Sequence, residues 1–113
     1  MVKTKYIPDR GDIVWLDLNP AKGHEQKGVR PAFVVSPKLY NAKTGLALMC
    51  PVTSASKGYS FEVALNFSRT IGVVLADHVR SLDWKARNAR YIETVSDAIT
   101  DEVEAKLRTL IVR

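Results

Sequence analysis

Apolar and polar positions along this 113-residue chain fall into short runs with two different periods. Asp12 to Leu18 carries Ile13, Val14, Trp15, Leu16 and Leu18 and reads as a strand, because β-branched and aromatic residues suit a pleated surface. Pro20 and Gly23 end it. Pro31 to Ser36 reads as a second strand, closed by Pro37. Lys38 to Lys43 reads as one short helical turn, stopped at Thr44-Gly45. Leu46 to Thr53 is a third apolar run, and Ser54 to Gly58 is turn-like. Ser60 to Leu65 alternates, with Phe61, Val63 and Leu65 on one side. The apolar run Ile71 to Ala76 extends through His78 to Leu82, and a short strand covers Arg90 to Val95. The period then changes. Ile99, Val103, Leu107, Leu110 and Ile111 recur at helical spacing and predict an amphipathic helix packed on the sheet. Thr100 is its expected N-cap. Asp101 and Glu102 lie near the positive end of its dipole, Lys106 and Arg108 nearer the negative end. Short strands followed by a terminal helix predict a mainly β (α+β) fold built on a small, curled or closed antiparallel sheet. Neither repeats nor a linker interrupt the pattern, so residues 1–113 read as a single domain.

Composition narrows the partners. Lys and Arg number 17 against 12 Asp and Glu, a formal net charge of +5, which suits a polyanion: nucleic acid, an anionic membrane or an acidic protein segment. The cations Lys57, Arg69, Arg80, Lys85, Arg87 and Arg90 fall mid-chain, and Asp97, Asp101, Glu102 and Glu104 near the end. A charge run is usually a solvated face, so this supports nucleic-acid binding only weakly. No apolar run approaches the ~18 residues needed to span a bilayer, and the N-terminus lacks the apolar stretch of a signal peptide. The one cysteine, Cys50, excludes an intrachain disulfide and fits a reducing compartment, the cytoplasm. Its place in the run Leu46 to Cys50 makes it a small buried thiol.

The chemistry concentrates in Gly23-His24-Glu25-Gln26-Lys27-Gly28-Val29-Arg30-Pro31, between the first two strands. A connection crowded with ionisable groups and held by rigid flanking strands is where binding and catalytic residues gather. Pro31 biases Arg30 towards extended backbone, so Arg30 stands at a strand mouth with its side chain aimed from a fixed base. Glu25 lies between Gly23 and Gly28. A carboxylate near such an arginine has two readings. One is a surface ion pair worth little. The other is a general base beside a phosphate clamp, for which the planar guanidinium fork suits two phosphate oxygens. Spacing alone favours the ion pair. Thr53, after Pro51-Val52, offers a hydroxyl to a phosphate oxygen, or serves its own backbone turn. His24 and His78 have no ligand partners at metal-binding spacing. Asp77 falls on the opposite face from His78 if that segment is extended, so no metal site is expected. Trp15, Tyr40, Tyr59 and Trp84 suit base stacking, and suit the core or an interface at least as well.

Several of these stretches together resemble the MazF/PemK family of toxin endoribonucleases. The resemblance runs over nearly the whole chain: Arg10-Gly11-Asp12-Ile13-Val14-Trp15, Gly23 to Pro31, Ala32-Phe33-Val34-Val35-Ser36, Pro51-Val52-Thr53, Ser56-Lys57-Gly58 and Leu75 to Asp83. It implies an SH3-like curled β-barrel of the MazF/CcdB type with a C-terminal helix. It implies a homodimer with its RNA groove at the dimer interface. The activity it implies is metal-independent, cofactor-free, sequence-specific cleavage of single-stranded RNA, including mRNA, by 2′-hydroxyl attack. Products would carry 2′,3′-cyclic phosphate and 5′-hydroxyl ends. A MazE-like antitoxin would cover the groove with an acidic C-terminal segment. Carried over by position, Glu25, Arg30 and Thr53 match the family's catalytic positions. Gln26, Lys57 and Arg80 match RNA-contacting ones, with His24, Lys27, His78 and Arg87 as further candidate RNA ligands. The chain departs from the pattern at His24, where several relatives carry Ser, and at His78, where many carry Gln.

Three rivals stand beside this reading. A non-catalytic nucleic-acid-binding barrel would share the basic surface but has no use for Glu25, whose charge repels phosphate. A CcdB-like gyrase poison resembles its relatives in a Trp-Gly-Ile ending, whereas this chain ends Leu110-Ile111-Val112-Arg113. A housekeeping RNA-processing enzyme shares the chemistry of the toxin. For the dimer, Trp84 and the C-terminal helix are the expected contacts, since a small curled sheet leaves edges that pairing covers.

Overall fold

A computed structural model of the chain describes residues 5–18, 28–66 and 68–113. The predicted runs become seven strands and two helices: β1 (Asp12–Asp17), β2 (Val29–Val34), α1 (Lys38–Thr44), β3 (Leu46–Thr53), β4 (Glu62–Ala64), β5 (Val73–Leu75), β6 (Arg80–Asp83), β7 (Arg90–Thr94) and α2 (Asp97–Ile111). The strands form one antiparallel sheet in the order β4-β5-β3-β2-β1-β7, with β6 on β3 beside that path.

Alternation along the strands gives this sheet an apolar cluster on each face. Ile13, Phe33, Cys50, Val52, Val63 and Val74 pack with Ile99, Val103 and Leu107 of α2 on one face. Val14, Leu16, Ala32, Val34, Ala47, Met49, Leu82 and Trp84 form the other. Cys50 is the buried thiol expected, and burial pushes it up to about 12, so it stays protonated.

The structure corrects several expectations. The N-cap of α2 is Ser96, whose hydroxyl accepts from the Ile99 N–H, so the helix starts before Thr100. Thr100 is an interior residue, its own N–H bonded to the Ser96 carbonyl. The buried stripe of α2 stops at Leu107. Leu110 and Ile111 are exposed. The run from Ile71 to Leu82 is two strands: a turn at Ala76-Asp77 separates β5 from β6. Trp84 is buried and donates its indole N–H to the Asn41 carbonyl, so it belongs to the second core.

Asn41 ties three separate pieces of chain together. Fully buried in α1, it donates from Nδ2 to the carbonyls of Pro8 (2.7 Å) and Ser36 (3.0 Å), and its Oδ1 accepts from the Ser36 hydroxyl (2.6 Å). Its carbonyl also accepts from Gly45, the C-cap of α1, whose φ of 75° is the left-handed conformation that favours glycine. Leucine at this position keeps the volume but strands these buried polar groups. Asn41→Leu is expected to cost about 2–4 kcal/mol and to lower Tm by roughly 10 °C or more in calorimetry. A shift of a degree or two would mean that the network carries no such weight.

Candidate active site on the split edge of strand three

The site forms where β3 changes partners. Along one edge β3 pairs with β2 from Met49 to Pro51. Along the other it pairs with β6 as far as Met49, opposite Arg80, and then with β5 from Val52, opposite Val74. Between those partners the Ala76–Val79 connection leaves the sheet, and a cavity of about 530 Å³ opens beside it. Arg30, Pro31, Thr53, Lys57, Tyr59, Glu62, Asp77 and His78 are among the residues that line it.

Strand pairing brings Arg30 and Thr53 together. Continuing the β2–β3 register two places beyond the Ala32–Pro51 pair sets Arg30 level with Thr53. Arg30 is exposed, so its guanidinium is available to an anion. The Thr53 oxygen accepts the Ala55 N–H (3.1 Å), which is the turn role open to it from sequence. That bond occupies a lone pair and leaves the hydroxyl proton to be donated. Thr53 is held from behind by Gly72. A Cβ there would lie 2.2 Å from the Thr53 carbonyl oxygen, and its φ of 127° favours glycine independently.

The remaining candidates divide. Lys57 and His78 line the cavity with Arg30 and Thr53. Arg80 lines an adjoining dent that shares Arg30, Pro31 and Pro51 with it. Arg87 lines neither. It stands in the turn after β6, its Nη1 3.4 Å from the Asp17 carbonyl. His24, Glu25, Gln26 and Lys27 lie outside the described residues. The ends of their connection are closed by the Leu18 N–H donating to the Gly28 carbonyl (2.9 Å), and Leu18 lines the cavity. Because Asp77 sits in a turn rather than a strand, its Oδ1 approaches His78 Nε2 to 3.8 Å, and the two side chains do not diverge. Among the described residues, no group of three or more His, Cys, Asp or Glu is placed to hold a metal, and no helix is long and apolar enough to cross a membrane.

Two carboxylates that periodicity did not single out shape the surroundings. Glu62 accepts from the Ser56 hydroxyl (2.7 Å), the Lys57 N–H (2.8 Å) and the Gly58 N–H (3.1 Å), pinning the turn that carries Lys57. Lys106 of α2 donates to the Glu62 carbonyl (2.9 Å) and so holds the start of β4. Glu93 accepts from the Arg69 N–H (3.0 Å) and from the Thr70 N–H and hydroxyl (2.6 Å each), fastening the segment before β5 to β7. Burial works to raise the Glu93 carboxyl, but these donors outweigh it and hold it below the usual range. The one sequence signal for Glu62 is its position a few residues after Ser56-Lys57-Gly58, within reach of a turn.

The model of a family described as a PemK-like, MazF-like toxin of type II toxin–antitoxin systems matches residues 9–111. The endoribonuclease toxin MazF of Escherichia coli strain K12 is 48% identical over 108 residues, which cover 96% of this chain and 97% of that protein. The endoribonuclease PemK of Escherichia coli is 38% identical over 116 residues, 98% of this chain and 87% of that protein. A crystal structure of MazE–MazF from Deinococcus radiodurans (Form-II) superposes with a TM-score of 0.88 at 51% identity, covering 95% of this chain and 97% of that one.

The Glu62 donors, led by the Lys57 N–H and then the Ser56 hydroxyl, favour its charged form and lower it from the ordinary glutamate value. A carboxylate lowered on folding contributes stability that is fully present above its unfolded value and is lost as pH falls through the folded one. The Lys57 and Gly58 amide proton shifts are therefore expected to move together in an acid NMR titration, with a midpoint below the ordinary glutamate range. In Glu62→Gln that transition should vanish. A midpoint in the ordinary range would show that the carboxylate does not hold this turn.

Proposed function

The chain belongs to the PemK-like, MazF-like family of type II toxins, and from that premise we propose that it cuts single-stranded RNA, including mRNA, as a sequence-specific endoribonuclease. The observation that supports this most directly is the convergence of Arg30 and Thr53 on one cavity at the mouth of β2. The reaction uses the substrate's own 2′-hydroxyl. Glu25 removes its proton, the O2′–P bond forms, and the P–O5′ bond breaks after an anionic phosphorane. The products are a 2′,3′-cyclic phosphate and a 5′-hydroxyl. Arg30 stabilises the phosphorane with its planar pair of donors, and Thr53 donates its hydroxyl to a phosphate oxygen. Lys57, His78 and Arg80 contact the RNA around the reacting bond, joined from the β1–β2 connection by His24, Gln26 and Lys27. Arg87 contacts a more distant phosphate. No step calls for a metal or an organic cofactor.

The protein works as a homodimer in the cytoplasm and is neutralised by a MazE-like antitoxin. An acidic antitoxin segment would compete for the same cations that hold RNA phosphates. The Deinococcus radiodurans relative seen with MazE supports that partnership.

A cleavage assay on a long single-stranded RNA in EDTA tests the reading. Discrete cuts ending in cyclic phosphate and 5′-hydroxyl are expected, and an all-DNA copy should survive because it lacks the 2′-hydroxyl. Glu25→Ala and Arg30→Ala are each expected to slow cleavage by at least about 100-fold, the scale of a lost general base or a lost charge-stabilising donor. Intact RNA under binding conditions would move the protein to the non-catalytic nucleic-acid binders. Cleavage by Glu25→Ala within a few fold of the unsubstituted protein would remove Glu25 as the base.

A further inference from the structure

Resting on the endoribonuclease reading, we propose that His78 is a catalytic residue, the general acid that protonates the departing 5′-oxygen, with Asp77 as its positioning residue. The RNA reaction needs two proton movements. One leaves the 2′-hydroxyl, and one must reach the O5′ atom as the P–O5′ bond breaks, because an alkoxide is a poor leaving group. Among the described residues that line the cavity, few groups suit the second task. Arginine keeps its proton throughout the physiological range and serves as a hydrogen-bond donor and charge, not as a source of protons. A threonine hydroxyl donates a hydrogen bond but does not give its proton up. Lysine and tyrosine ordinarily hold theirs well above neutral pH. Imidazole is the side chain whose charge changes near neutrality, which makes its protonated form an efficient acid there.

Geometry places that imidazole where the task is. His78 lines the cavity shared by Arg30 and Thr53. It leaves the sheet between β5 and β6, its N–H donating to the Leu75 carbonyl (3.0 Å), so its base is fixed by a tight turn rather than by a free loop. Its side chain is 58% exposed, open to a ligand in the cavity. The Asp77 carboxylate lies 3.8 Å from Nε2, within ion-pair reach of the protonated ring. Among the described residues, the charged groups that share the cavity with it are Arg30 of β2, Lys57 of the turn after β3, Glu62 of β4 and Asp77 itself. The step balances without another reactant. The base takes the 2′-hydroxyl proton, O2′ bonds to phosphorus, the P–O5′ electron pair goes to O5′, and His78 supplies the proton that makes the 5′-hydroxyl. His78 is then left neutral and regains a proton from water.

The test is single-turnover cleavage of two RNA oligonucleotides spanning a cut mapped in the assay above. One is ordinary, and the other has sulfur in place of the bridging 5′-oxygen. A thiolate leaves without a proton, so only loss of an acid is rescued by the sulfur substrate. His78→Gln is expected to cut ordinary RNA about 100- to 10,000-fold more slowly, the usual weight of a general acid, and the sulfur substrate within a few fold of the unsubstituted protein. On ordinary RNA the unsubstituted protein should lose rate towards alkaline pH, a limb that His78→Gln should lack. Asp77→Asn should lower the ordinary rate by a smaller factor and also be rescued by sulfur. Equal losses on both substrates would reduce His78 to an RNA contact, and ordinary cleavage within a few fold would remove it from the chemistry. Absence of any cut in the long-RNA assay would overturn the endoribonuclease reading itself and this role with it.

Discussion

The architecture of the site depends on one constraint: β3 cannot keep the same neighbour along its whole length. Its edge towards β2 is continuous, while its other edge is shared between β6 and β5. The changeover falls at Cys50 and Pro51, and both suit it. Proline lacks an N–H and therefore withdraws a donor from the ladder where a neighbour is missing. Cys50 is small enough to fill the interior behind the gap, its sulfur 3.8 Å from the Ala76 carbonyl. Everything the site uses on the described part of the chain follows from that gap. Thr53 ends β3 just past it, Arg30 stands level with Thr53 on the continued β2 register, and the turn bearing Asp77 and His78 lies where the chain crosses from β5 to β6.

A gap in a sheet would ordinarily soften it, and the surrounding packing explains why this one stays shaped. Both faces of the sheet are apolar and covered, one by α2 and one by the cluster around Met49, Leu82 and Trp84. Each fully buried aliphatic side chain contributes about 1.5–3 kcal/mol. The stripe Ile99, Val103 and Leu107 therefore outweighs the Ser96 cap, worth about 1 kcal/mol, in docking the helix. The polar groups drawn into this interior are paired. Asp12, 5% exposed, accepts from the Thr94 hydroxyl (2.8 Å) and the Tyr6 hydroxyl, and burial together with that carboxylate holds the phenol well above its usual range. Among the described residues no buried side-chain nitrogen or oxygen lacks a partner. Rigid surroundings of this kind let an opening lined by exposed residues keep a fixed geometry.

The strands and the terminal helix were legible in the sequence because each depends on a short-range period. Phe61, Val63 and Leu65 alternate over a handful of residues, and Ile99, Val103 and Leu107 repeat every four. What escaped depends on contacts distant along the chain. Glu62 and Glu93 read as ordinary charged positions, and only the fold shows that they accept from residues 56–58 and 69–70. Gly72 marks no turn of its own; its importance is the closeness of the Thr53 carbonyl across the β3–β5 ladder. The break at Ala76-Asp77 was hidden because Leu75, Ala76, Val79 and Leu82 keep the segment apolar through the turn. The place of Arg87 outside the cavity was hidden for the opposite reason: a cation in a basic stretch carries no sign of which way the turn faces.

The cavity lining also bears on how the proposed RNA site would tolerate carboxylates. Among the described lining residues, Arg30 and Lys57 are offset by Asp77 and Glu62, so the immediate lining gives little net attraction. Long-range attraction must come from the wider surface, where the formal charge of the chain is +5, and it falls off within the roughly 8 Å Debye length of physiological salt. Close to the phosphate, directional donors take over from net charge. Glu62 is compatible with that arrangement because its oxygens already accept three hydrogen bonds from its own turn, which localises its charge away from the ligand. Asp77 is compatible because a histidine stands beside it. The division assigns affinity to the surface and register to the site. An acidic protein segment can then displace RNA by matching the first without reproducing the second.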